Sequence, residues 1–280
     1  MRIDSHQHFW AYDPARFAWL TEDMRALRRD FLPEHLRPEL AAAGIDATVA
    51  VQVDQSESET RFLLDLARAN PEIAGVVGWV DLRAENLPER LEYFSQFDAL
   101  AGFRHIAQSE PDARFLLRDD FLRGIGQLQS FDFTYDILIY PRHLPAAVEL
   151  VARFPKQRFV VDHLAKPLIK SGGIESWARS MRQIAAHENV FCKLSGMVTE
   201  ADWSAWKPAD FAPYLDVVFE AFGVDRLMFG SDWPVCLVAA SYAQVKQLVE
   251  DYAASDRDRI FGSNAARFYG LSVLHGSRAQ

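Results

Sequence analysis

At 280 residues, with 49% hydrophobic and 25% charged side chains, the chain has the size and balance of one large α/β domain with an ample core. Its formal charge of −9, with arginines scattered among acids, excludes the concentrated positive surface that a nucleic-acid partner needs. No apolar run approaches the ~18 residues of a membrane span, no apolar stretch follows Arg2 as it would in a signal peptide, and Cys192 and Cys236 make neither a disulfide framework nor a metal motif. The chain is therefore expected in a reducing cytoplasm, away from membranes.

In chain order, runs rich in Val, Ile and Phe predict strands over Ile3–His8, Thr48–Val53, Val76–Val80, Gly102–Ile106, Thr134–Ile139, Phe159–His163, Phe191–Ser195 and Leu227–Asp232. Amphipathic patterns predict helices between them, over Glu59–Ala69, Pro88–Phe97, Phe121–Gln129, Leu144–Arg153, Glu175–His187, Phe211–Phe222 and Tyr242–Tyr252. Several strands are apolar on consecutive residues, as in a parallel sheet covered on both faces. Eight strands alternating with helices predict a single-domain (β/α)8 TIM barrel over 1–271, followed by a short tail, 272–280. The structural rival, a doubly wound open sheet, lacks a Gly-rich fingerprint after the first strand. Residues 11–38 form an unusually long first connection, of the kind that covers a site at the strand ends.

The chemistry-bearing residues cluster at those strand ends. Alternation in a strand places His6 and His8 on one face. His163 ends the sixth strand and Asp232 the eighth. In a barrel these termini share one mouth, so three imidazoles and a carboxylate form either a nitrogen/oxygen site for zinc or manganese or a metal-free acid–base cluster. A single strand histidine is more often a packed residue than a ligand, and Asp232 alone fits a turn cap; it is the combination that argues for function. Arg104 on the fourth strand belongs at a polar mouth, where its fork can hold a carboxylate or polarise a carbonyl; the bland alternative is a structural ion pair. Lys193 shares a face with Ser195. Gln52, Trp79 and Tyr140 are candidate walls, and Lys166 can reach back from the loop after His163. Covalent serine or cysteine chemistry is disfavoured by the absence of G-x-S-x-G and of a Cys–His pair.

Four motifs, Asp4-Ser5-His6-Gln7-His8-Phe9-Trp10, Gly102-Phe103-Arg104-His105, Asp162-His163-Leu164-Ala165-Lys166-Pro167 and Gly230-Ser231-Asp232-Trp233-Pro234-Val235, resemble the sugar-lactonase branch of the amidohydrolase superfamily. The resemblance runs from the first strand to about Leu271 and implies hydrolysis of L-fucono- or L-rhamnono-lactones. The sequence departs from two-metal members of the superfamily, which carry a bridging lysine or glutamate on the fourth strand and a histidine on the fifth. Here those strands offer Arg104 and His105, and Phe133–Ile139 has no histidine. His6, His8, His163 and Asp232 can still hold one ion, and the resemblance implies that some lactonases of this branch work without a required metal.

These features lead to an expected hydrolase that opens a small-molecule aldonolactone. In this reading Asp232 is general base, and Arg104, His163, His6 and His8 polarise the carbonyl, with a protonated imidazole or Asp232 returning a proton to the leaving alkoxide. Trp10, Gln52, Lys193, His105 and Trp233 are the expected substrate neighbours. The enzymatic alternative is a metal-dependent decarboxylase or C–C hydrolase acting on an aromatic acid. The non-enzymatic one is a ligand-binding barrel. Nothing in the sequence selects an oligomeric state.

Overall fold

Eight short runs of β-branched and aromatic residues pair in chain order in the computed structural model, which describes residues 1–253 and 256–271. All eight strands lie parallel in one sheet, ordered β1 to β8: Ile3–Gln7, Ala47–Val51, Ile73–Gly78, Leu100–His105, Thr134–Ile137, Phe159–Val161, Val190–Leu194 and Leu227–Phe229. Beyond its three residues, β8 is tied to β1 by Asp232 N–H donating to His6 O (2.9 Å) and His8 N–H donating to Trp233 O (2.7 Å). The Ser5 hydroxyl adds a bond to Phe229 O at 2.6 Å. These bonds bring the last strand back to the first, giving the expected (β/α)8 barrel.

The surrounding helices are α1 (Pro33–Ala43), α2 (Glu57–Ala69), α3 (Leu87–Phe94), α4 (Asp119–Leu128), α5 (Leu144–Arg153), α6 (Glu175–Ala185), α7 (Pro208–Phe222), α8 (Tyr242–Ala253) and α9 (Asn264–Tyr269). Two cores result. The larger packs the helices on the outside of the sheet. The smaller gathers Ile3, Val49, Val77, Val160 and Met228 with Ala265 and Phe268 of α9. It closes the strand-start end and leaves the other end for polar groups.

The structure moves several predicted boundaries. Pro33 and Pro38 suggest a loop, yet Pro33 occupies the first turn of α1, where its missing N–H costs nothing. The first connection therefore stops near residue 32 rather than 38. β6 ends at Val161 and β8 at Phe229, so His163 and Asp232 sit on turns beyond their strands. Both turns use the left-handed region, with φ of 53° at His163 and 57° at Asp232. α9, too short to show a clear period, was not anticipated. The predicted tail, 272–280, lies outside the described residues. Among the described residues no helix is long and apolar enough to cross a membrane.

The close approach of β4 to β5 depends on Gly102, where an added Cβ would lie 2.1 Å from Thr134 Oγ1 and 2.6 Å from Thr134 O. Gly102→Ala is expected to lose about 1–3 kcal/mol through this overpacking, read as a lowered midpoint in thermal unfolding; an unchanged midpoint would show that the strands can part.

Candidate active site

Beneath the barrel mouth lies a fully buried ionic base. Lys193, on β7, directs its ammonium at Asp136 Oδ2 (2.5 Å), Asp162 Oδ1 (3.0 Å) and His6 Nδ1 (3.1 Å). Tyr269 of α9 donates to the same Asp136 oxygen at 2.8 Å. Arg104 Nη1 pairs with Asp162 Oδ2 at 2.9 Å and lies 3.3 Å from His6 Nε2. Gln52 and Arg104 bind each other's backbone: Gln52 Nε2 donates to Arg104 O at 2.9 Å, and Arg104 Nη2 donates to Gln52 O. Two buried cations thus face two buried carboxylates, a pairing that offsets the penalty either sign would carry alone.

Above this base the four expected residues converge. His6 Nε2 and His8 Nε2 are 3.2 Å apart. Asp232 Oδ1 lies 3.2 Å from His8 Nε2, 3.8 Å from His163 Nε2 and 3.9 Å from His6 Nε2. His8 Nδ1 donates to Val51 O at 2.7 Å, so in the neutral ring its Nε2 presents a lone pair. His163 Nδ1 meets Ser195 Oγ at 2.8 Å. Gly196 makes room for that ring, since a Cβ there would lie 2.5 Å from His163 Nδ1.

These groups open onto a cavity of about 210 Å³, with His8, Arg104, His163, Asp232, Lys166 and Gln108 as polar wall and Val53, Leu138, Val235 and Trp19 among the apolar wall. Trp19 comes from the long first connection, which does cover the mouth. A larger hollow of about 540 Å³ lies near Ile73, Leu100 and Phe133, at the strand starts, but no histidine lines it, so the smaller mouth cavity is the better site.

Five expected substrate neighbours do not line this cavity. Trp10 is buried, donates from Nε1 to Arg29 O (2.9 Å) and packs on Phe31, so it anchors the first connection. Gln52 and Lys193 are sealed in the ionic base. His105 points out of the barrel by strand alternation, where its Nε2 meets Glu110 at 2.8 Å and its ring stacks on Phe115. Trp233 is buried against Phe9 and Phe31. Sequence reasoning missed Asp136, Asp162, Tyr269 and Gln108. An aspartate inside the otherwise apolar strand Thr134–Ile137 was the available signal for the first. Tyr269 had none, because it arrives from the far end of the chain.

Burial decides the protonation of the imidazoles. It lowers His163 to about 4 and His6 well below the usual histidine value, so both are neutral near pH 7. Burial pushes Asp232 up, but His163, His8 and His6 outweigh it and hold the carboxyl well below its usual range. Asp162 is likewise kept ionised against burial by Lys193, His6 and Arg104, while burial raises Asp136 to about 6. His6 and His163 therefore stand as neutral rings beside a fixed guanidinium.

The donor set fits one divalent ion. His6, His8 and Asp232 offer ligand atoms within 4.8 Å of one another, and the lone pair of His8 facing Asp232 is an arrangement that a cation relieves. A second trio, His6, Asp162 and His163, shares His6, and its carboxylate is already neutralised by Lys193 and Arg104. The set therefore suits one ion rather than two.

The chain thus forms a (β/α)8 barrel with an H-x-H pair at the end of β1, a histidine after β6 and an aspartate after β8, all at the strand ends where barrels of this kind carry their chemistry. The amidohydrolase family model matches residues 3–271, and the chain belongs to that family. An L-fucono-1,5-lactonase of Burkholderia multivorans is 44% identical over 286 residues, covering 97% of this chain and 96% of the relative. An L-fucono-1,5-lactonase of Burkholderia ambifaria is 38% identical over 285 residues, covering 99% and 98%. A crystal structure of a Burkholderia multivorans amidohydrolase with bound zinc superposes with a TM-score of 0.93 at 44% identity, over 97% of this chain and 100% of that one.

The wall residue Val53 is held by a buried acid, Glu59, which accepts from Val53 N–H at 2.7 Å. Burial pushes Glu59 from the usual 4.5 up to about 8. The folded state then keeps a proton that the unfolded chain releases, so this group's contribution falls as pH rises between those values. Glu59→Gln is expected to gain thermal stability over the wild type progressively from pH 5 to pH 8; a constant difference would remove Glu59 from the pH dependence.

Proposed function

We propose that this chain opens an aldonolactone, L-fuconolactone or a close relative, to the open-chain acid. The observation that carries the reading is the convergence of Asp232, His8, His163 and the Arg104 guanidinium on the wall of one small polar cavity. The identity with two L-fucono-1,5-lactonases supports the substrate class. A lactone carbonyl is already electrophilic, so the site has to activate water and stabilise the developing oxyanion.

In this reading Asp232 takes a proton from water as it attacks the carbonyl carbon. Arg104 donates to the developing oxyanion, from a position fixed by Asp162 and the Gln52 backbone. His8, oriented by Val51 O, and His163, oriented by Ser195, stand on either side of Asp232 and fix where water and substrate can approach it. Collapse of the tetrahedral intermediate breaks the bond to the ring oxygen, which recovers the proton from Asp232. An ion held by His6, His8, His163 and Asp232 would supply Lewis-acid polarisation of the carbonyl.

Proton release from an aldonolactone panel tests the proposal, with metal-stripped and zinc-supplemented protein run side by side. Asp232→Asn is expected to lower turnover by roughly two to four decades while the fold persists; near-wild-type rates would remove Asp232 from the chemistry. Carbon dioxide from an aromatic acid, without acid release from any lactone, would return the decarboxylase alternative. Gly196→Ala is expected to push the His163 ring off Ser195 and lower kcat about tenfold or more; an unchanged kcat would mean that the position of His163 is not critical.

A further inference from the structure

After β6 the backbone makes one turn of left-handed helix. His163, Leu164, Ala165 and Lys166 all have positive φ, at 53°, 54°, 56° and 50°, and none is glycine. Lys166 N–H closes the turn on His163 O at 2.7 Å, and the buried Trp177 indole binds Leu164 O at 2.7 Å. Such backbone is disfavoured for L-residues, and a run of four persists only where the surroundings enforce it. Its geometric effect is specific. With about three residues per turn, residues i and i+3 lie side by side, so Lys166 is delivered next to His163 on the cavity wall.

Lys166 also departs from the usual behaviour of a rim lysine, which extends its ammonium into water. Its side chain is mostly covered, its Nζ sits 3.3 Å from Glu200 Oε1, and it lies over the Tyr140 ring at 5.7 Å. Glu200 stands on the turn after β7, so the ammonium is held between two loops of the mouth. Around the ring of strands Asp232 follows β8 and Arg104 lies on β4, across the barrel, with the β6 turn between them.

Resting on the lactonase reading above, we propose that Lys166 is a catalytic residue of this site, donating a hydrogen bond to the ring oxygen of the lactone and stabilising it as it leaves as an alkoxide. Water adds to the acyl carbon, and its proton passes to Asp232. The bond from acyl carbon to ring oxygen then breaks, and the alkoxide held by Lys166 takes the proton from Asp232. Lactone and water yield the hydroxy acid with no other reactant. Arg104 serves the carbonyl oxygen and Lys166 the ring oxygen, which gives each of the two oxygens on the reacting carbon its own cation.

The test measures kcat, KM and the ring-18O kinetic isotope effect with an aldonolactone opened by the wild-type protein. Lys166→Met is expected to lower kcat about ten- to a hundredfold with KM changed less than about threefold, and to enlarge the isotope effect as ring-oxygen departure becomes more limiting. Lys166→Arg is expected to restore kcat to within about tenfold of wild type by returning the charge. Should circular dichroism show Lys166→Met unfolded, Lys166→Gln takes its place. A wild-type-like kcat, or a rise in KM alone, overturns the role of Lys166 and leaves the lactonase reading standing. A wild-type protein that opens no aldonolactone overturns that reading, and this one with it.

Discussion

The buried contact between Lys193 and its two carboxylates, Asp136 and Asp162, is the constraint on which the mouth of this barrel is built. Lys193, Asp136 and Asp162 are closed to water and Arg104 is buried except at the cavity wall, and only the mutual pairing of these four charges makes that tolerable. Each ionic partner also has a second task. Lys193 reaches His6, Arg104 reaches both His6 and the cavity, and Asp136 ties the cluster to Tyr269 of α9. Removing any one member would strand an opposite charge in the core. The same economy makes the cluster a rigid platform, because no side chain in it can move without leaving another unpaired.

That platform sets the charges above it. Burial disfavours charge on both His6 and His163, and Lys193 adds to it at His6, so both are neutral near pH 7. Asp232, surrounded by imidazoles, stays ionised despite burial. In the proposed reaction the site separates its roles by residue type: a carboxylate to accept a proton, imidazoles that flank it, and a guanidinium that cannot give its protons away. Of the two expected proton donors to the leaving alkoxide, a protonated imidazole and Asp232, desolvation of His6 and His163 favours Asp232.

Much of this was legible in the chain. The alternation of strands and helices fixed the barrel; His8, His163, Arg104 and Asp232 do face one cavity, and His6 lies buried beneath them. What failed did so for local reasons. Strand periodicity predicts which face a residue takes, but not whether the ring is crossed by neighbours that seal it, as happens to Gln52 and Lys193. Aromatic residues beside a motif suggest contact with substrate, yet Trp10 and Trp233 pack under the first connection, since large apolar surface is more favourably buried than left at a wet mouth. Asp162, next to the expected His163, escaped notice because its partners come from β4 and β7, remote in sequence.

The two residues placed most critically, His163 and Asp232, are held by backbone that the sequence does not advertise. Neither is carried by the strand itself; each sits beyond the strand end in the left-handed region, and the β6 turn continues there for four residues. Left-handed conformation costs an L-residue about 1–2 kcal/mol, so the turn must be stabilised by its surroundings: Leu164 and Ala165 are fully buried and Trp177 grips the Leu164 carbonyl. Helix α6, which carries Trp177 on its buried face, therefore helps hold the strained turn. A regular continuation of β6 would alternate side chains and separate His163 from Lys166, whereas the left-handed turn sets them together at the cavity wall. The apolar packing around the barrel and the site at its mouth are connected through that turn, because burial of Leu164, Ala165 and Trp177 helps keep His163 in reach of Asp232.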